Sequence, residues 1–168
     1  KGGTRVTRHP VRKATLDISI TRHEVEQRGK AYSFNTLSKR LAAPPKAISA
    51  AMKLPPGEKH LHIKTLHKAD GRPFMFEDRW INTLAVPHLL DADLSQVNAN
   101  EWLVENALFT HGSISFSAAG ATKYQAQQLA IEPEDAVFII QRSTWQSDHS
   151  ITLVKLAYTQ DFKMRTQI

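Results

Sequence analysis

Apolar and polar residues alternate with period two in several runs of this chain, and short stretches rich in Pro, Gly, Asp and Asn separate them. Leu16 to Ile20 (LDISI) predicts a short strand. Thr21 predicts a helix cap, with Glu24 three residues on completing a capping box and Arg28-Gly29 closing the helix. Tyr32 to Leu41 fits a strand. Pro44-Pro45 opens a short alanine-rich helix to Met52, which Pro55-Pro56-Gly57 ends. The strongest strand signal is His60 to Lys68, then Ala69-Asp70-Gly71-Arg72, then Pro73 to Asn82, because Asp-Gly between two β-rich runs marks a hairpin. Pro87 to Leu90 and Asn98 to Leu108 read as helices, the second with Trp102, Leu103, Asn106 and Ala107 on one face. Ser113 to Ala119 reads as a strand and Thr122 to Leu129 as a helix. Val137 to Trp145 and Ile151 to Tyr158 are two further strands around the polar turn Gln146 to Ser150. These elements predict an α+β domain: one mostly antiparallel sheet, helices gathered toward one face, and a second face able to line a cavity.

Composition narrows the function. At 168 residues, 41% hydrophobic and 23% charged, the chain fits one globular domain. It has no cysteine, which excludes disulfide scaffolds, thiolate metal sites and cysteine nucleophiles and suits a cytoplasmic protein. No apolar stretch is long enough to cross a bilayer, so no membrane role is expected. The net charge of +6 invites a nucleic-acid reading. Yet Lys1, Arg5, Arg8, Arg12 and Lys13 cluster at the front, and the remaining basic residues mix with carboxylates. That pattern reads as a basic linker over residues 1–14 preceding a domain over 15–168.

Candidate chemistry is sparse. His60 and His62 share a strand face, as metal ligands do, but His67 falls on the opposite face and no third ligand accompanies them. The pair therefore reads as an exposed strand face, and no metal or cofactor is expected. No nucleophile elbow, P-loop or dinucleotide fingerprint occurs. Glu132, Glu134 and Asp135 lie in an evident loop and read as solvated. Glu77-Asp78-Arg79 differs, because it sits mid-strand. Alternation puts Glu77 and Arg79 on one face and Asp78 with Trp80 on the other. A carboxylate and a guanidinium on one strand face make either a pocket with an anion clamp or a surface ion pair.

The run Gly71-Arg72-Pro73-Phe74-Met75-Phe76-Glu77-Asp78-Arg79-Trp80-Ile81-Asn82 resembles the GxPxxxEDRxVN signature of HutC-type regulators, a branch of the GntR repressors. Glu24 to Gly29, Asn98 to Leu103, Leu129 to Ile131, Arg142 to Trp145 and Ile151-Thr152 match further family motifs in order, with Ser143 where the family has a second arginine. The resemblance covers about residues 4 to 165. It implies the UTRA effector domain, whose fold is chorismate lyase-like, and a preceding winged helix-turn-helix of about 70 residues that this chain does not include. It further implies a non-enzymatic, ligand-sensing homodimer that reaches operator DNA only through that other domain. The implied effector is urocanate or a similar small carboxylate. Carried over residue by residue, the implied pocket comprises Glu77, Arg79, His67, Arg142, Tyr158, Thr152 and Thr21. Glu77 would accept from the imidazole, and Arg79 or Arg142 would clamp the carboxylate. Two other readings are a sensor of a different effector, such as a sugar phosphate, and a lyase-type enzyme on the same fold.

Overall fold

In the computed structural model, residues 20–164 are described; the expected linker and the Leu16 to Ile20 strand lie outside them, save Ile20. Six strands form one antiparallel sheet: β1 (Tyr32–Ala42), β2 (His60–Ala69), β3 (Arg72–Ile81), β4 (His111–Gly120), β5 (Ala136–Gln146) and β6 (His149–Thr159). Their order across the sheet is β1-β2-β3-β6-β5-β4. Two hairpins thus lie side by side, joined where β3 pairs with β6. Asp70 and Gly71 both take positive φ, 51° and 75°, as a two-residue hairpin turn with the right-handed strand twist requires. The Asp70 carboxylate accepts from the Ala31 amide at 2.9 Å, fixing the start of β1 beside that turn.

The helices are short: α1 (Thr21–Glu26), α2 (Lys46–Met52), α3 (Ala99–Asn106) and α4 (Lys123–Leu129), with a 3-10 turn at Pro87–Asp91. They cover both faces of the sheet, not one. On the face of Leu61, Ile63 and Ile81, the 3-10 turn and α3 contribute Leu89, Ala99 and Leu103 to a common core. On the other face, α4 packs Ala126 and Leu129 against Leu66, Phe76 and Ala157. There too α2 places Met52 against Trp80 and Leu153. Fully burying each such aliphatic side chain contributes about 1.5–3 kcal/mol, so both helical layers are needed to exclude water from the central strands.

Three local expectations need correction. Thr21 does not cap α1: Ile20 occupies that position with extended backbone, and Thr21 lies inside the first turn with its side chain buried. Glu24 instead pairs with Arg28 one turn on, at 3.0 Å. His60 and His62 are not an exposed face, since both are buried, His62 flat against Trp80 with ring centroids 4.2 Å apart. Helix α3 ends at Asn106 and buries Ala99, Asn100, Glu101 and Leu103, a more polar face than periodicity selects. Asn98 caps it, accepting from the Glu101 amide at 3.0 Å. No helix among the described residues is long and apolar enough to cross a membrane.

Candidate functional site

Alternation along β3 aims Glu77 and Arg79 at the underside of α3, and cross-strand register brings the neighbours into line. Arg79 lies opposite Val154 on β6, which in turn lies opposite Arg142 on β5. Thr152 is one step along β6 on the same face, and His67 projects from β2 on that face too. Six of the seven expected residues therefore share one side of the sheet. Thr21 is buried in α1, but among the described residues no hydrogen bond joins it to the others.

Glu77 and Arg79 are each about 1% exposed, so a surface ion pair is ruled out. Arg79 donates from Nε to Glu77 Oε1 at 2.7 Å and from Nη2 to Oε2 at 2.9 Å, a two-pronged pair. Burial pushes the Glu77 carboxyl up, but the Arg79 charge, its hydrogen bonds and His67 outweigh that and hold it well below the usual range. The clamp expected of Arg79 is thus already closed on a residue of its own strand. Arg79 Nη2 also reaches Asn100 Oδ1 at 3.3 Å.

Arg142, half-buried on β5, is the second cation of the array. Its Nη2 donates to Asn100 Oδ1 at 2.9 Å, its Nε is buried with no hydrogen-bond partner, and among the described residues no carboxylate lies within 4.0 Å. Burial, and then repulsion from Arg79, lower its pKa to about 10, which still leaves it protonated at neutral pH. Two guanidiniums thus share one carboxylate beneath α3. Among the described residues the array therefore carries surplus positive charge, which an anion would offset.

Residues that pattern reading missed complete the array. Asn98 Nδ2 donates to the Tyr32 hydroxyl at 2.9 Å, and that hydroxyl lies 2.8 Å from His67 Nδ1. Having accepted from Asn98, Tyr32 has its proton free for Nδ1, and burial raises its pKa so that the proton stays. The network thereby assigns the His67 proton to Nε2, which faces Glu77 Oε2 at 3.6 Å. Thr152 Oγ1 donates to the Trp80 carbonyl at 2.8 Å and lies 3.5 Å from Arg79 Nη1. Tyr158 is buried beside this array, and burial raises its pKa as well. The available signal for Asn98 and Asn100 was two asparagines at a helix start. One is the cap, and the other lies on the buried face, where an amide needs hydrogen-bond partners.

A cavity of about 20 Å³ opens between Arg79, Asn100, Arg142 and Thr152. That holds about one water, so α3 lies close over the array and a larger guest requires some of the lining residues to move.

Comparison with known proteins agrees with this geometry. The family model described as the UTRA domain matches residues 27–162. The histidine utilization repressor of Pseudomonas putida is 26% identical over 158 residues, 93% of this chain and 63% of that protein. That of Klebsiella aerogenes is 27% identical over 110 residues, 66% of this chain and 46% of its own length. The chain thus spans less than two thirds of the curated relatives it matches. Among solved structures, the C-terminal domain of the histidine utilization repressor from Pseudomonas syringae pv. tomato superposes with TM-score 0.77 at 19% identity, covering 82% of this chain and 99% of that one. PhnF from Mycobacterium smegmatis gives TM-score 0.75 at 16% identity, over 91% and 69% respectively. With the sheet order, the helices on both faces and a family match over most of its length, this chain belongs to the UTRA domain family.

Proposed function

We propose that this chain is the effector-sensing domain of a transcriptional repressor of histidine utilisation genes and that its effector is urocanate. One observation carries the reading: Arg142, a half-buried guanidinium with a buried, idle Nε and no carboxylate within 4.0 Å among the described residues, in a domain whose relatives are named histidine utilization repressors. Urocanate is a flat carboxylate with an imidazole. Its carboxylate replaces Asn100 on Arg142, and its ring enters between Leu103 and Ile151, residues that border the cavity. Glu77, already held by Arg79, keeps the remaining charge balanced rather than serving as the main acceptor. The chain is a sensor and not an enzyme in this reading. Operator DNA is bound by a winged helix-turn-helix that precedes residues 1–14 in a cytoplasmic regulator.

Displacing Asn100 gives the signal a route. Glu101, the next residue, holds Arg22 of α1 at 2.9 Å, so lifting the first turn of α3 pulls on the helix nearest the N-terminal segment. Effector binding then has different free energy in the two positions of α3, as allostery requires. Pairing of two copies along edge strand β4 is part of this reading.

Calorimetry tests it. Urocanate should bind the full chain, and histidine more weakly, because its ammonium meets a cationic site. Removing a desolvated charged partner costs about 2–5 kcal/mol, so Arg142→Ala should weaken urocanate by roughly 30-fold or more. Arg142→Lys should recover only part, since an ammonium lacks the planar fork. Undiminished affinity in Arg142→Ala would overturn the assignment.

A further inference from the structure

The face of the sheet opposite the arginine array carries a larger void. A groove of about 370 Å³ runs between α2 and the strands β1, β3 and β6. That falls within the roughly 300–1,000 Å³ usual for small-molecule sites, whereas the cavity beneath α3 does not. Register explains its lining. One row across the sheet aligns Arg40, His62, Trp80 and Leu153, and the next aligns Lys64, Asp78, Lys155 and Gln141.

The floor is preformed. His62 stacks on Trp80 at an interplanar angle of 4°, and its Nε2 lies 2.7 Å from Asp78 Oδ1. Trp80 and Leu153 are in turn fixed by Met52 and Leu54 at the end of α2. One wall is apolar, formed by Ala42, Pro45 and Ile48. The rim is cationic. Asp78 is already engaged by His62 and, at 3.9 Å, by Lys64. Arg40 and Lys155 are exposed at the groove, and among the described residues neither has a carboxylate within 4.0 Å. The groove therefore offers a flat apolar slot with surplus positive charge at its mouth.

We propose that this groove is a second small-molecule site, distinct from the array under α3, for a flat monocarboxylate with an apolar ring body. The ring lies between the Pro45/Ile48 wall and the Trp80/Leu153 floor, and the carboxylate meets Arg40 and Lys155. The site is independent of the urocanate reading, because the two ligand positions lie on opposite faces of the sheet.

Amide-resolved NMR titration of the full chain with 2-naphthoate tests it, with neutral 2-naphthamide as the control. Saturable shifts should appear at Ala42, Ile48, Asp78 and Lys155, and not at Asn100 or Arg142. Arg40→Glu combined with Lys155→Glu should weaken 2-naphthoate by roughly tenfold, and the amide should bind the parent about as poorly. Both replaced side chains are exposed, so the fold is not at stake, and the same spectra verify it. Urocanate added to the double variant should still shift Asn100 and Arg142, which separates failure of one site from failure of the other. Shifts confined to α3 and β5, no saturation up to about 10 mM, or equal affinity in the charge-reversed variant would overturn the proposal.

Discussion

Strands β3 and β4 are each ten residues long, yet one is mostly buried and the other is exposed at every position. Strand β3 lies between β2 and β6 with helices over both faces, so every side chain it carries must satisfy a packed environment. It carries three consecutive charges nonetheless. Strand β4 lies at the sheet edge, pairs only with β5, and reads His-Gly-Ser-Ile-Ser-Phe-Ser-Ala-Ala-Gly, with no lysine, proline or bulge to blunt the edge. Charge at the centre and neutrality at the β4 edge reverse the ordinary arrangement of a sheet, whereas the opposite edge strand, β1, carries exposed Lys39 and Arg40. In the reading proposed above, the inner charges serve recognition and the bare edge of β4 serves pairing.

The largest break in this contrast should come from Arg79. Replacing it by Met strands the Glu77 carboxylate in a site about 1% exposed. Breaking a buried pair from one side costs about 3–5 kcal/mol. Urea denaturation of Arg79→Met should show a loss of that order. Adding Glu77→Gln should restore part of it, because the stranded charge is then gone, and the two effects should be far from additive. An additive double variant would mean that the pair is not a unit. Arg142 makes no ion pair among the described residues, so its removal disturbs the fold less than that of Arg79 and reports more directly on ligand.

Much of β3 and little of its surroundings was legible in the sequence. Period two sorted Glu77 and Arg79 from Asp78 correctly, because side-chain direction in a strand is a local property. The Asp70-Gly71 turn was legible for the same reason, since backbone sign is set by the residues themselves. What alternation cannot carry is what covers each face. His60 and His62 read as exposed because nothing local announces that α2 will close over them or that Trp80 will stack on His62. The closure of Arg79 on Glu77 was hidden too, since residues two apart on one face can either pair with each other or both face a guest. Asn98 and Asn100 lie about twenty residues beyond β3, and their roles arise only when the crossover from β3 to β4 folds back. Of the seven expected site residues, Thr21 alone, carried over with the others from the family resemblance, lies outside the array, buried in the first turn of α1.

A smaller effect should follow at the edge. If two copies pair along β4 about a two-fold axis, residues near the middle of the strand face their own counterparts. Ser115 sits there, exposed. Ser115→Lys would set two ammonium groups against each other, the device by which natural edges avoid pairing. Light scattering across a concentration series should show the parent as a dimer and the variant dissociating at concentrations roughly tenfold higher or more. Equal dissociation of parent and variant would place the dimer contact elsewhere.

The smallest effect should come from Asp78, between Glu77 and Arg79 in sequence and opposite to them in space. Its carboxylate accepts from His62 at 2.7 Å, as short as the Arg79 bond to Glu77. Distance alone would rank the two pairs together. Solvent separates them: the Asp78 side chain is about 33% exposed, so water screens its end of the pair, while His62 stays buried against Trp80. A contact screened at one end is worth about 0–1 kcal/mol, and Asp78→Asn keeps an oxygen able to accept from His62. Urea denaturation should therefore find this variant within about 1 kcal/mol of the parent, several-fold less than the cost of Arg79→Met. A loss as large as that of Arg79→Met would show that the groove face is as dry as the face beneath α3, and the contrast between the two sides of this strand would no longer hold.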